Sequence, residues 1–222
     1  MPDETPKPSA AHHAATRDWP AYFAAIAGKG PRETLLDALG RFDALPEAPL
    51  ALDLGCGEGR DTVELLRRGW RVLAIDAEPV AFDCMFQRED LTHRDRLTIQ
   101  QVHYQDATLP EATLVNASFS LPFCPPEHFD SLWSRVKRAV APGGRFCGQL
   151  FGDKDTWATI PDRSHVTRAR AEAMLAGFDV EMFDEEDRDG ETSSGTPKHW
   201  HIFNIVARKP VDSNANNAPE AS

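Results

Sequence analysis

Apolar and polar positions alternate in two rhythms along this chain. Short apolar or every-other-residue runs are strand-like, and between them apolar positions return every three or four residues, as in helices. The strand rhythm falls at about 50–54, 70–75, 97–102, 112–118 and 145–151. Helices are expected over 59–68, where Gly69 closes the segment, and near 79–88. The segment 127–140 is the clearest helix, with apolar residues at 129, 132, 133, 136 and 140 before the breaker Pro142-Gly143-Gly144. Thr167 is an N-cap for a helix over 168–176, and Gly177 marks its end. Two late strands, about 178–186 and 199–207, have only the polar stretch 187–198 between them, so they pair as an antiparallel hairpin at the sheet edge. Ahead of the first strand lie two helices, roughly 20–27 and 31–42, each opened by a proline and separated by Gly28-Lys29-Gly30.

Strands alternating with helices predict an α/β fold: a doubly wound, mostly parallel seven-stranded sheet with helices on both faces and the antiparallel hairpin at its C-terminal end. The folded part is expected to be one domain over 17–210. Residues 1–16, rich in Pro, Ala, Lys and His, read as a disordered leader, and 211–222, rich in Asn, Ser and Ala, as a disordered tail. In such sheets a ligand lies at the carboxyl ends of the strands, where strand order reverses, here between strands one and four.

The chemistry at that point is concentrated in residues 51–59, Ala-Leu-Asp-Leu-Gly-Cys-Gly-Glu-Gly. An apolar strand ends in the acid Asp53 and runs into a turn whose Gly55, Cys56 and Gly57 bring backbone close to a ligand, since the glycines carry no Cβ. The helix that follows directs free amide groups back at the same place. A dinucleotide fingerprint would read G-x-G-x-x-G; here the third glycine comes one residue early and Arg60 holds its position. Asp76 ends the second strand, where a carboxylate can accept both hydroxyls of a ribose; equally, it could be an ordinary helix-opening acid.

The acid Asp53, the glycine loop, Asp76 with Ala77, and Asp106 with Ala107 after strand three resemble, in order and spacing, the class I S-adenosylmethionine (SAM)-dependent methyltransferases. That resemblance implies the Rossmann-like methyltransferase fold and SAM as cofactor. Asp53 would hold the methionine amino group, Gly55, Cys56 and Gly57 would line the cofactor, and Asp76 and Ala77 would bind its ribose. Asp106 and Ala107 would read adenine. Asn116, at the end of strand four, falls where the family borders cofactor and acceptor, although a strand-end amide satisfying a turn explains it as well. It is followed by Ala117, not proline, so the Asn-Pro-Pro-aromatic pattern of base and protein amine methylation is missing. The aromatic N-terminal segment, the Asp-Leu-Gly-Cys-Gly loop and Arg60-Asp61 are similar to the tellurite-resistance and thiopurine-type branch, which acts on small molecules.

No base–nucleophile pair stands out, which favours positioning over general-base catalysis. Tyr22, Asn116, His165 and His199 are the candidates for a catalytic group, with no acceptor residue implied by the resemblance. Trp19, Tyr22, Phe119, Asp153 and Trp157 are the candidates for acceptor contact, and residues 17–45 for a lid. Two alternatives remain open: a non-catalytic SAM-binding regulator, and an NAD-dependent oxidoreductase, which Asp53 and the early glycine oppose.

Composition narrows the partners. With 222 residues and 41% hydrophobic content the chain can bury one sizeable core, and a formal charge of −11 disfavours nonspecific attraction to nucleic acid. Four scattered cysteines form no C-x-x-C pair, so neither a metal centre nor a disulfide framework is expected. No apolar run is long enough for a membrane span or a signal-peptide core, and the expected location is the cytoplasm. The sequence carries no signal of an oligomeric state.

Overall fold

The computed structural model describes residues 10–191 and 197–211. Eight strands form one sheet in the order β3-β2-β1-β4-β5-β8-β7, with the short β6 (His165–Val166) paired to β5 off that path. β1 (Leu50–Leu54), β2 (Arg71–Asp76), β3 (Leu97–Gln101), β4 (Ala112–Ala117) and β5 (Val140–Gly152) run parallel. β8 (Pro197–Arg208) is antiparallel to both β5 and β7 (Asp179–Glu191). Strand order reverses between β1 and β4, where Asp53 and Asn116 are register partners.

Helices cover both faces because β1 alternates its apolar residues between them. Leu52 and Leu54 face a core shared with α6 (Pro126–Ala139) and α7 (Arg168–Met174), while Ala51 faces α3 (Glu33–Gly40) and α4 (Arg60–Arg67). On α6, Phe129, Leu132, Trp133 and Val136 form one buried stripe at the spacing the sequence predicts, each contributing about 1.5–3 kcal/mol by burial. The Trp133 indole N–H donates to the Met174 carbonyl at 2.9 Å, tying α6 to α7. α4 stops at Gly69, whose φ of +88° is open to glycine but strained for other residues. α5 (Pro79–Phe86) follows β2, and α2 (Trp19–Ile26) packs on it through Phe23, Ile26 and Ala81.

Four expectations are corrected. Residues 10–16, assigned to a disordered leader, form helix α1 (Ala10–Thr16), held by the Arg163 guanidinium, which donates to the Ala15 carbonyl. Residues 1–9 lie outside the described residues, as does the expected tail from 212 onward. Pro142-Gly143-Gly144 does not precede β5 but lies within it, because Gly143 and Lys209 exchange strand-like hydrogen bonds through the Gly143 amide and the Gly144 carbonyl. The polar stretch after 186 extends the hairpin: β7 and β8 stay paired out to Glu191 and Pro197, since acids, Arg188 and His199 face one another along the ladder. The sheet gains an eighth strand, β6, too short to leave a periodic signal.

Candidate active site

Above the carboxyl ends of β1, β2, β4 and β5 lies one cavity of about 860 Å³, within the usual range for small-molecule sites. Its floor is built by the β1–α4 turn. Gly55 and Gly57 take φ values of +66° and +53°, so the chain turns sharply where side chains would be strained. A Cβ on Gly55 would come within 2.4 Å of the Ser120 Cβ, and one on Gly57 within 3.1 Å of the Phe23 ring. Backbone therefore reaches the cavity at both positions.

Asp76 fixes this turn from the neighbouring strand. One carboxylate oxygen accepts from the Gly57 amide at 2.9 Å and the other from the Glu78 amide at 3.0 Å. Each oxygen keeps a lone pair for a ligand hydroxyl. Burial pushes the Asp76 carboxyl up from its ordinary pKa.

Asp53 is 2% exposed and lines the cavity from below. It accepts from the Asn116 amide at 2.9 Å and bonds the Thr62 hydroxyl at 2.5 Å. The same Asn116 nitrogen donates to Asp61 at 3.0 Å, and Asp61 in turn accepts from the Arg32 amide at 2.8 Å. Burial, reinforced by the Asp61 charge, raises the Asp53 pKa to about 7. This acid is thus poised to take a cation, whose charge would relieve both effects. Glu58 also faces the cavity; its Oε1 and the Ser120 hydroxyl are buried without a protein partner, and burial raises the Glu58 pKa. These two orphaned groups beside a glycine cradle fit a polar ligand, and the acid-rich donor set fits a cationic one.

Of the residues singled out in the sequence, Asp53, Gly55, Cys56, Gly57, Asp76 and Ala77 come together in the lining of the cavity. Trp19, Tyr22, Phe119 and Trp157 line it too. Asp106 and Ala107 do not: the Asp106 amide closes a turn onto the His103 carbonyl, leaving Asp106 exposed and Ala107 buried in the core. The wall there is made by Val102, His103, Tyr104 and Gln105. Asn116 is fully buried beneath the floor and acts through Asp53 and Asp61. Asp153 is exposed and outside the lining, 3.6 Å from His201.

His165 and His199 also lie off the cavity. His165 sits behind Phe151 with its pKa lowered by burial. His199 is clamped between Asp189 at 2.7 Å and Asp187 at 2.8 Å, hydrogen bonds that raise its pKa. Nearby, Glu185, Asp187 and His201 converge, but His201 Nδ1 accepts the Lys154 amide at 3.1 Å, so the neutral ring carries its proton on Nε2 and donates it to Glu185 at 2.9 Å. That tautomer makes Nε2 a donor, not a ligand.

Several lining residues had no signal in the sequence. Arg32 reaches the site across 29 residues from Asp61 and stacks its guanidinium 4.4 Å from the Phe119 ring centroid. Phe123, Phe151 and the β8 pair Trp200 and Ile202 come from three separate places in the chain and meet only through strand order. Asp61 had a weak local signal, as an acid in the first turn of a helix.

A family model described as "Methyltransferase domain" matches residues 51–144, which span β1 to the start of β5. Among curated proteins, a carboxy-S-adenosyl-L-methionine synthase of Shewanella amazonensis is 32% identical over 97 residues, covering 41% of this chain and 40% of the relative. An uncharacterised methyltransferase of Synechocystis sp. is 33% identical over 120 residues, covering 48% and 52%. The chain thus aligns with only about half or less of these relatives' lengths. Among solved structures, TehB of Haemophilus influenzae superposes with a TM-score of 0.68 at 16% identity, covering 86% of this chain and 67% of that one. The 1,6-didemethyltoxoflavin-N1-methyltransferase of Burkholderia thailandensis does so with 0.61 at 20% identity, covering 95% and 94%. At these identities the likeness is one of fold. Residues 51–144 thus match a methyltransferase domain, and the fold of the chain is similar to that of these methyltransferase structures.

Proposed function

We propose that the protein is an enzyme that transfers the methyl group of SAM to a small-molecule acceptor. The observation that carries this reading is one continuous cavity with two unlike halves. Over β1 and β2 it is acidic and floored by backbone; over β4, β5 and β8 it is walled by Phe123, Phe151, Trp157 and Trp200. The first half suits a cationic nucleoside, and the second leaves room beside it for another molecule, which a purely SAM-sensing protein would not need.

SAM supplies a methyl group on a sulfonium, which needs no activation by the protein. Asp53 would hold the cofactor's amino group, Asp76 its ribose hydroxyls, and Gly55, Cys56, Gly57 and Ala77 the surface against which it lies. Asp106 and Ala107 lie off the cavity, so contact with adenine falls instead to the wall at His103–Gln105. Orientation of the acceptor against the methyl carbon can supply roughly 7–11 kcal/mol of the acceleration. Trp19, Tyr22 and Phe119 line the cavity and would contact the acceptor, and the N-terminal segment 17–45, which includes α2, would serve as a lid.

The aromatic N-terminal segment and the Asp-Leu-Gly-Cys-Gly loop support the tellurite-resistance and thiopurine-type branch. A cytoplasmic enzyme acting without nucleic acid is part of this proposal, and the charge of −11 supports the latter; no helix among the described residues is long and apolar enough to cross a membrane. The test is transfer of radiolabelled methyl from SAM to a panel of small thiols, phenols and amines, with release of S-adenosylhomocysteine measured in parallel. Stoichiometric appearance of both products with any acceptor supports the reading; tight SAM binding with no transfer to any class would support a silent binding protein.

A further inference from the structure

A second cavity, of about 320 Å³, lies between the first turn of α6 and the chain at 158–165. Pro126 and Phe129 of α6 line it, with Arg163, His165 and Arg170. None of these five residues lines the larger cavity.

Two buried atoms here lack a partner. The Arg163 side chain is 1% exposed, with its Nε 3.3 Å from Asp162 and its Nη2 donating to the Ala15 carbonyl. Its Nη1 has no hydrogen-bond partner among the described residues, and neither does His165 Nε2. The other ring nitrogen of His165 hydrogen-bonds the Arg163 backbone, which favours a proton there. Burial lowers the pKa of this ring, so it is neutral and Nε2 carries a lone pair. A donor and an acceptor are thus both left to a ligand in one cavity.

The surroundings are positive. Asp162 serves two guanidiniums, Arg163 at 3.3 Å and Arg17 at 2.8 Å. Arg170 is matched by Asp130 at 2.7 Å, and Lys198, which acts on His165, is matched by Asp155. One positive charge is therefore left over. α6 adds to it, because it opens at Pro125 with no side chain capping its first-turn amides. Glu127 of that turn is exposed and outside the lining.

We propose that this cavity binds free hydrogen phosphate, with Arg163 Nη1 donating to an ionised oxygen and His165 Nε2 accepting from the remaining hydroxyl. The first turn of α6 and Arg170 supply further positive charge. Sulfate and the dianion of a phosphate monoester are ionised at every free oxygen near pH 7.5 and have no proton to give His165. The site stands apart from the methyl-transfer reading but touches the larger cavity through Arg163. That guanidinium lies 5.0 Å from the Phe123 ring and 5.1 Å from the Trp157 ring, both in the larger lining, and holds α1 at Ala15. Phosphate on Nη1 therefore also restrains that wall.

The test is calorimetric titration of the full chain near pH 7.5 with sodium phosphate, sodium sulfate and methyl phosphate at matched ionic strength. Each titration is repeated with saturating S-adenosylhomocysteine. The proposal predicts saturable one-to-one binding of phosphate, at least roughly tenfold tighter than either other anion and not displaced by S-adenosylhomocysteine. His165→Phe keeps a ring beside Phe151, 5.8 Å away in the native protein, but removes the acceptor. It should weaken phosphate roughly tenfold, leave sulfate unchanged and so erase the preference. Arg163→Lys, which keeps the charge but not Nη1, should weaken phosphate at least as much. Absence of saturable phosphate binding, equal binding of sulfate or methyl phosphate, or full affinity in His165→Phe would overturn the proposal. Displacement of phosphate by S-adenosylhomocysteine would place the anion in the larger cavity and overturn it too.

Discussion

Asn116 donates to Asp53 at 2.9 Å across a separation of 63 residues, joining the ends of the two strands between which the sheet reverses its order. The same amide nitrogen reaches Asp61, so one neutral side chain holds two buried carboxylates in place. Replacing it by Ala leaves both acids short of a donor. Asn116→Ala should destabilise the protein by about 2–4 kcal/mol and weaken cofactor binding, without Asn116 touching the ligand. Urea unfolding alongside calorimetry checks this; unchanged stability would show that the acids do not depend on it.

The raised pKa of Asp53 has a signed consequence. A carboxyl titrating near 7 in the fold and near 3.8 when unfolded keeps its proton longer in the native state. The ligand-free protein should therefore lose stability as pH rises from about 4 to 7, by a few kcal/mol from this group. Binding of a cationic amino group needs the ionised acid, so cofactor affinity should rise over pH 6–8 and flatten above. Asp53→Asn should remove both dependences, as read by unfolding at several pH values and by titration with S-adenosylhomocysteine. A flat profile in the unsubstituted protein would contradict the assignment.

Asp76 binds the loop as well as any ribose. Asp76→Ala should cost the cofactor about 1–3 kcal/mol of binding, with 2′-deoxy cofactor analogues already weakened in the unsubstituted protein and no further weakened in the variant. Full affinity in Asp76→Ala would remove the ribose role.

Gly55 tests the backbone floor. Its left-handed φ and the Ser120 side chain in the path of any Cβ make Gly55→Ala strained twice over. We expect a loss of at least about 1–2 kcal/mol in stability and a much larger loss in cofactor affinity, because the turn must shift. Gly28→Ala, at a positive φ with open space around it, separates backbone strain from lost space: it should cost stability only. Equal effects on cofactor binding from both would mean that the loop does not approach the ligand.

Much of this architecture was legible because it is written locally. The periodicity of α6, the strand ending in Asp53 and the glycines after it each sit within one element, and the ordering of Asp53 and Asp76 follows the alternation of strand and helix. The place of Asp106 was only partly legible: a turn within residues 103–106 sets His103–Gln105 in the cavity wall and leaves Asp106 exposed just beyond it, a local detail too small to see in sequence. Asn116 was ambiguous since strand-end position alone does not say which face its amide takes. The acceptor chamber was largely hidden, as Phe123, Phe151 and Trp200 meet only when β8 inserts beside β5. Helix α1 escaped because its composition lacks periodicity and its anchor, Arg163, lies 148 residues away.

The central claim is that the β1–α4 floor with Asp53 and Asp76 is a SAM site. Calorimetric titration of the purified protein with SAM, S-adenosylhomocysteine and NADH tests it most directly. Saturable one-to-one binding of both sulfur ligands, with none of NADH, is the predicted result. Binding of NADH without either sulfur ligand would contradict the account and return the chain to the oxidoreductases.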